Sequence, residues 1–178
     1  MRTGLAVVLL GLVLGVSPVM AQAEAPEPGS LTTYRYALTF TLGLPQGWRV
    51  QDDAGFARLI AFSPADSLGD AFRENVNVTV EGLMSDSLEV YWAENRAAIA
   101  ANMAEFEEHE VGNAEVAGLP AKRIVYEHTY EGLRLRVLTY LVFAPDRAYF
   151  LTATAPVGSY GDYGQTFERI LSSFRPNR

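Results

Sequence analysis

Among its 178 residues the chain has no cysteine. That excludes disulfides, thiol catalysis, cysteine metal sites and lipid attachment through an N-terminal cysteine. Histidine occurs twice, as His109 and His128, and lysine once, as Lys122. Basic residues are outnumbered 14 to 21, for a net charge of −7. Nucleic-acid binding rests on neutralising phosphates with basic groups, so this balance argues against it. The sequence has no Gly-x-Ser-x-Gly elbow and no glycine-rich phosphate loop. It has no apolar run near the ~20 residues that a membrane span needs.

What is present begins with an export signal over residues 1–23. Arg2 gives a positive start and Leu5 to Val16 an apolar run of 12 residues. Ser17-Pro18 breaks the run, and Ala21-Gln22-Ala23 has the small-x-small pattern of a cleavage site. Cleavage after Ala23 leaves thirteen basic and twenty-one acidic residues, a net charge of −8. Residues 24–33 hold Pro26, Pro28, Gly29 and Ser30 and read as a flexible spacer. A single domain is expected over residues 34–178. Without disulfides it depends on its core, and a chain of this size buries roughly 70% of its unfolded surface.

Tyr34, Tyr36, Leu38 and Phe40 alternate with smaller or polar residues and predict one strand. Phe56 to Ser63 predicts another, and Pro64 to Glu74 a polar loop. Asn75-Val76-Asn77-Val78-Thr79-Val80-Glu81 is the clearest alternation, with the valines inward and the polar face expected to be wet. Asp86 is the expected N-cap of a helix, with Glu89 completing a capping box. Leu88, Trp92, Ile99, Met103 and Phe106 form its apolar stripe, and the acidic run Glu105 to Glu110 is expected to end it. Glu110 to Val116 reads as a weak strand. Tyr163, Phe167, Ile170, Leu171 and Phe174 mark a last helix over Tyr160 to Phe174.

Between the helices lies the organising stretch, Leu119 to Ala155. It predicts three strands, Ala121–Tyr130, Leu133–Phe143 and Ala148–Ala155. The turns at Glu131-Gly132 and Ala144 to Arg147 fix their register. His128 then faces Leu135, Glu127 faces Arg136, and Leu141 faces Phe150. One face carries Ile124, Tyr126, Leu135, Val137, Leu141, Phe143 and Phe150. The other carries Val125, Leu138, Tyr140, Val142, Tyr149, Leu151 and Ala153. A soluble domain does not leave apolar faces of this extent bare, so both must be covered. The expected fold is α+β: a three-layer α/β/α sandwich with an antiparallel sheet of about six to seven strands flanked by helices.

Five stretches carry a resemblance. They are Leu44-Pro45-Gln46-Gly47-Trp48, Glu74 to Glu81, Gly118-Leu119-Pro120-Ala121-Lys122-Arg123, Ala148 to Ala155, and Phe167 to Phe174. In this order they resemble the PsbP-like family and its bacterial DcrB-like relatives, within the Mog1/PsbP-like fold superfamily. The resemblance runs through about Leu38 to Phe174. It implies an antiparallel sheet between helices and a non-enzymatic accessory or binding role outside the cytoplasm. Members of the photosynthetic branch support the oxygen-evolving complex and are associated with calcium and manganese. No metal ligand matches residue by residue, so that role is not carried over. Many bacterial relatives are lipid-anchored; the absence of cysteine departs from that pattern.

Residue chemistry adds no assigned site. His109 sits in an acidic run and reads as a solvated helix end. His128 reads as a packed or rim histidine. Glu127 points to the opposite face from it, so the adjacent pair forms no acid–base dyad. Asp66, Asp70 and Glu74 share a loop but lack the ligand order of a calcium hand. The sequence therefore names no catalytic, cofactor-binding or metal-ligating residue and calls for no cofactor. The expectation is an exported, periplasmic or extracellular accessory domain that binds an unidentified protein partner or stabilises an envelope complex. It has no nucleic-acid partner and no stable membrane insertion after cleavage. The alternative is a carrier of a small apolar or lipidic ligand. The less favoured one is an enzyme using His128 or His109.

Overall fold

The register of the central strands decides the architecture. In the computed structural model, which describes residues 30–67, 70, 72–83 and 87–177, β7 (Leu119–Tyr130), β8 (Leu133–Phe143) and β9 (Arg147–Pro156) form an antiparallel meander. Glu127 pairs with Arg136, His128 with Leu135, Leu141 with Phe150 and Leu138 with Ala153. Those are the pairings the turns predict. Glu131 (φ 48°) and Gly132 (φ 82°) both sit in the left-handed region. That is the two-residue turn whose twist matches its flanking strands.

Around this meander the sheet grows to seven antiparallel strands. The others are β3 (Arg49–Ala54), β4 (Ala57–Phe62), β5 (Asn75–Gly82) and β6 (Ala104–Val116). The order is β3-β4-β5-β9-β8-β7-β6. A second sheet, β1-β2-β10, is built from β1 (Leu31–Tyr36), β2 (Phe40–Pro45) and β10 (Arg175–Pro176). β1 begins within the stretch read as spacer. Residues 1–29, and with them the export signal, lie outside the described residues.

Both faces of the large sheet are covered, as the register requires. On one face α2 (Tyr160–Ser172) and β2 bury Phe167, Ile170, Leu171, Phe40 and Leu42 against Val78, Val125, Leu138 and Leu151. On the other, α1 (Leu88–Asn102) lays Tyr91 and Trp92 on Ile124, Tyr126, Val137, Leu141 and Phe150. The small sheet locks onto α2 at Gly43. A Cβ there would meet Ser173 Oγ at 2.9 Å and Leu31 Cβ at 3.1 Å, and the Gly43 amide donates to Ser173 Oγ at 2.7 Å. No helix among the described residues is long and apolar enough to cross a membrane.

Four local expectations need correction. The Tyr34–Phe40 alternation is a hairpin, not one strand: Ala37 adopts φ 44°, the Thr39 amide donates to Tyr36 O, and Leu38 is 86% exposed at the tip. α1 ends at Asn102, and Ala104 opens a 13-residue strand, so the acidic run is strand rather than helix end. Spacing allowed Met103 and Phe106 to continue the helix; pairing with β7 supplies long-range hydrogen bonds that local propensity does not register. The described N-cap of α1 is Ser87, whose Oγ accepts from the Val90 amide at 3.4 Å, while Glu89 turns instead to Lys122. Asp86 lies outside the described residues. Finally, the polar face of β5 is not wet: Asn75, Asn77 and Thr79 are all buried.

Candidate functional site

On the α2 face, beside the start of that helix, β6, β7 and β8 assemble a charged cluster around one carboxylate. Glu127, its side chain only 9% exposed, accepts from Arg136 Nε at 2.8 Å and Arg134 Nε at 3.1 Å. His109 Nε2 stands 3.2 Å from the same group. His109 gets there because β6 slips register between Glu108 and Glu110. A bulge of this kind re-aims a side chain. Arg134 also reaches Glu107 at 2.9 Å, and the Arg136 guanidinium lies 5.4 Å from the Tyr160 ring centroid. Burial alone would raise the Glu127 carboxyl; the hydrogen bonds from Arg136 and Arg134 outweigh it and hold it below its ordinary value.

Ligand atoms of Glu107, His109 and Glu127 all come within 4.8 Å of one another, close enough to share a cation. The two arginines decide against it. Each already occupies a carboxylate that a metal would need, and each would stand as a positive charge beside a divalent ion. The cluster is an ion-pair lattice that pins the edge strand β6 to the sheet. A second lattice repeats the device, with Arg123 bridging Glu110 at 2.6 Å and Glu168 of α2 at 2.7 Å. Tyr140 adds a hydrogen bond to Glu168 at 2.7 Å. His109 is thus exposed, as expected, but sits on a strand beside Glu127 rather than at a helix end.

His128 lies on the other face, as the alternation of the strand requires. It is 7% exposed and packs 6.0 Å from the Tyr126 ring, and burial pushes its pKa down. It lines a cleft with Met103, Tyr126, Tyr130, Thr152 and Thr154. The cavity volume is about 10 Å³, roughly the room one water needs. Leu135 and Val137 complete its lining, and Thr152 and Thr154 lead from it to a polar row across β5, β8 and β9. Asn77 stands opposite Thr152, Asn75 opposite Thr154, and Thr139 Oγ1 is 3.2 Å from Thr152 Oγ1. Among the described residues, Asn75 Oδ1, Asn77 Oδ1 and Thr79 Oγ1, with Arg73 Nε, are buried without a hydrogen-bond partner. Sequence reasoning passed over this row because alternation reveals which residues share a face, not whether that face is covered.

No family model matches the chain, and no curated protein matches it. Solved structures do. LpqN of Mycobacterium tuberculosis, described as involved in cell envelope biogenesis, superposes with a TM-score of 0.65 at 16% identity, over 85% of this chain and 87% of that one. The cyanobacterial PsbP of Synechocystis gives 0.60 at 13% identity, over 88% and 98%. PA94 of Pseudomonas aeruginosa, a protein of unknown function, gives 0.60 at 16% identity, over 84% and 99%. The chain has the PsbP/Mog1-like fold.

Within this fold the three loop acids do not converge on a common point. Asp70 accepts from the Asp66 and Phe72 amides, each at 3.2 Å, which closes the loop on itself. Asp66 accepts from Tyr163 of α2 at 3.1 Å. Glu74 is buried and accepts from Ser63 Oγ at 3.0 Å and from Ser159 Oγ, beside the start of α2, at 2.8 Å. Burial, with the nearby Glu74 charge, pushes the Tyr163 phenol up to about 12. The loop acids tie the β4–β5 connection to α2, and their carboxylates are engaged by the protein itself.

Proposed function

We propose that the chain is an exported, non-enzymatic accessory domain that works by binding a protein partner in the cell envelope. The observation that carries this reading is the outer edge of β6. This strand runs for 13 residues and, among the described residues, pairs on its β7 side alone, and only Val116 of its own residues is buried. An unpaired edge of that length is a template for another chain. Three of its five acids are ion-paired, Glu107 with Arg134, Glu108 with Arg96 and Glu110 with Arg123, and Glu105 accepts from Thr129 Oγ1. What the edge presents outward is ordered backbone with an exposed Val111, its acidic charge partly offset by these arginines and Glu115 left exposed near its end. Both histidines are engaged or enclosed, which supports a binding role over a catalytic one. The envelope setting is supported by the export signal and by the description of LpqN.

The test is photocrosslinking in the native host. Amine-reactive reagents are a poor choice, because Lys122 is the sole lysine and its side chain is 8% exposed in an ion pair with Glu89. A photoreactive residue at Val111 should yield one reproducible adduct. The same residue at Val157, distant on the chain and also exposed, should not. Equal or absent adducts at both positions would count against the reading.

A further inference from the structure

The α1 face holds a feature that the β6 edge does not explain. Asn75, Asn77 and Thr79 of β5, Thr152 and Thr154 of β9 and Thr139 of β8 form one contiguous polar patch in the middle of the sheet. None is more than 4% exposed. Three of them carry an oxygen with no partner. Turning the Asn75 amide over would not help, because its Nδ2 already donates to Arg73 O at 3.1 Å. An unpaired buried acceptor is a standing loss, which an apolar residue of similar shape would avoid. Such local violations of good packing are expected where a site is kept for use.

Beside this floor, on the same face, α1 packs on Ile124, Tyr126, Val137, Leu141 and Phe150. Of the fifteen residues of α1 only Tyr91 and Trp92 are buried. Half-buried Ile99 adds an apolar contact, and the polar ties are Tyr91 OH to Glu81 at 2.6 Å, Arg96 to Glu108 at 2.6 Å, and Glu89 to Lys122 at 2.6 Å. The Glu89 side chain is 72% exposed and Arg96 48%. Their partners Lys122 and Glu108 are 8% and 25% exposed, so each pair is half open to water and holds modestly. The cleft of His128 and Tyr126 opens onto the floor at Thr152 and Thr154.

We propose that this floor is a binding site for an uncharged small molecule bearing hydroxyl or amide N–H donors, and that α1 lifts to admit it. The chemistry follows from the atoms. The two asparagine oxygens only accept, so the ligand must donate. The patch contains no ionised group, and burial keeps His128 on the neutral side, so a charged ligand would find no counter-charge. Tyr126, His128 and Tyr91 offer ring faces or edges against which a compact polar molecule can pack.

The experiment uses the full chain and three probes: N-acetylglucosamine, myo-inositol and acetamide. Saturation-transfer NMR reads contact. Trp92 emission, in a Trp48→Phe background, reads the position of α1. At least one probe should receive saturation and shift Trp92 to the red. Asn77→Leu should weaken that binding at least tenfold while its thermal midpoint stays level or rises. Thr79→Val, nearly identical in shape, should weaken it several-fold and serves if the larger change disturbs folding. No transfer to any probe overturns the proposal. So does binding that is equal in the parent and both variants, or a probe-saturated crystal structure with only ordered water on the three oxygens.

Discussion

Replacing Glu127 by Gln keeps the shape of the side chain and removes the charge that three cationic or donor groups share. In the folded protein Arg134, Arg136 and His109 converge on a carboxylate that is 9% exposed. Glutamine retains one acceptor oxygen and turns an NH₂ toward a guanidinium. A hydrogen bond to a charged group is worth about 1.5–3 kcal/mol, and breaking a fully buried pair about 3–5 kcal/mol. The arginines are 30% and 34% exposed, so solvent recovers part of the loss. The expected destabilisation is about 2–3 kcal/mol, which in a domain of this size lowers the thermal midpoint by about 4–12 °C. The sign of the pH dependence follows from the lowered carboxyl of Glu127. Its contribution is complete above the unfolded value of about 4.3 and is lost as pH falls through the folded one. Urea denaturation followed by tryptophan fluorescence should therefore show a wide gap between parent and variant at pH 7. The gap should close as the series reaches pH 3. Glu107→Gln is the internal control: its side chain is 61% exposed and holds only Arg134, so about 0.5–1 kcal/mol is expected. If Glu127→Gln costs no more than Glu107→Gln, or if its gap is the same at pH 3 as at pH 7, the lattice does not centre on Glu127.

His128 should act in a separate pH window. Its depressed folded pKa means that stability is present above about pH 6.5 and is lost as pH falls through the folded value. His128→Gln should flatten that limb and leave the Glu127 limb below it intact, as read from denaturation midpoints at half-unit pH steps. Phe167→Ala should cost about 3–5 kcal/mol, because the ring is fully buried against Trp48, Tyr160 and Tyr163. Chemical denaturation at pH 7 measures this directly. Glu74→Gln should cost about 1–2 kcal/mol, since both carboxylate oxygens accept from buried or half-buried serine hydroxyls. Calcium should leave the thermal midpoint of the parent where magnesium leaves it, because the acids of that loop are already engaged.

The sequence made the central sheet legible because two short turns fix its register. Once Tyr130 pairs with Leu133 and Phe143 with Ala148, every other contact follows by counting, and a slip of one residue would exchange the faces. The faces so assigned are the two core clusters found. The same counting foretold the Glu127–Arg136 pair but not its depth. Arg134 enters from two residues along β8, and His109 from a bulge that leaves no mark in composition. Elsewhere the local signal had two readings. Ile99, Met103 and Phe106 suit a helix stripe, yet the chain leaves the helix after Asn102 because β7 offers a partner. Tyr34 to Phe40 alternates like a strand, and no glycine or proline marks the turn that Ala37 makes at positive φ.

β5 is the instructive failure. Its alternation was read correctly as two faces, and the inference from polar to wet was the step that broke. β5 lies between β4 and β9 in a sheet covered on both sides, and its polar face is buried along with its apolar one. A sequence shaped only for stability would place apolar side chains at residues 75, 77 and 79, and this chain places two amides and a hydroxyl there. The three orphaned oxygens are thus not noise in an otherwise apolar layer. They are where sequence and fold disagree, and such disagreement falls preferentially at sites held for a ligand or a motion. Coverage, the one quantity that pattern reading cannot supply, turns an ordinary-looking strand into the place where function should be sought.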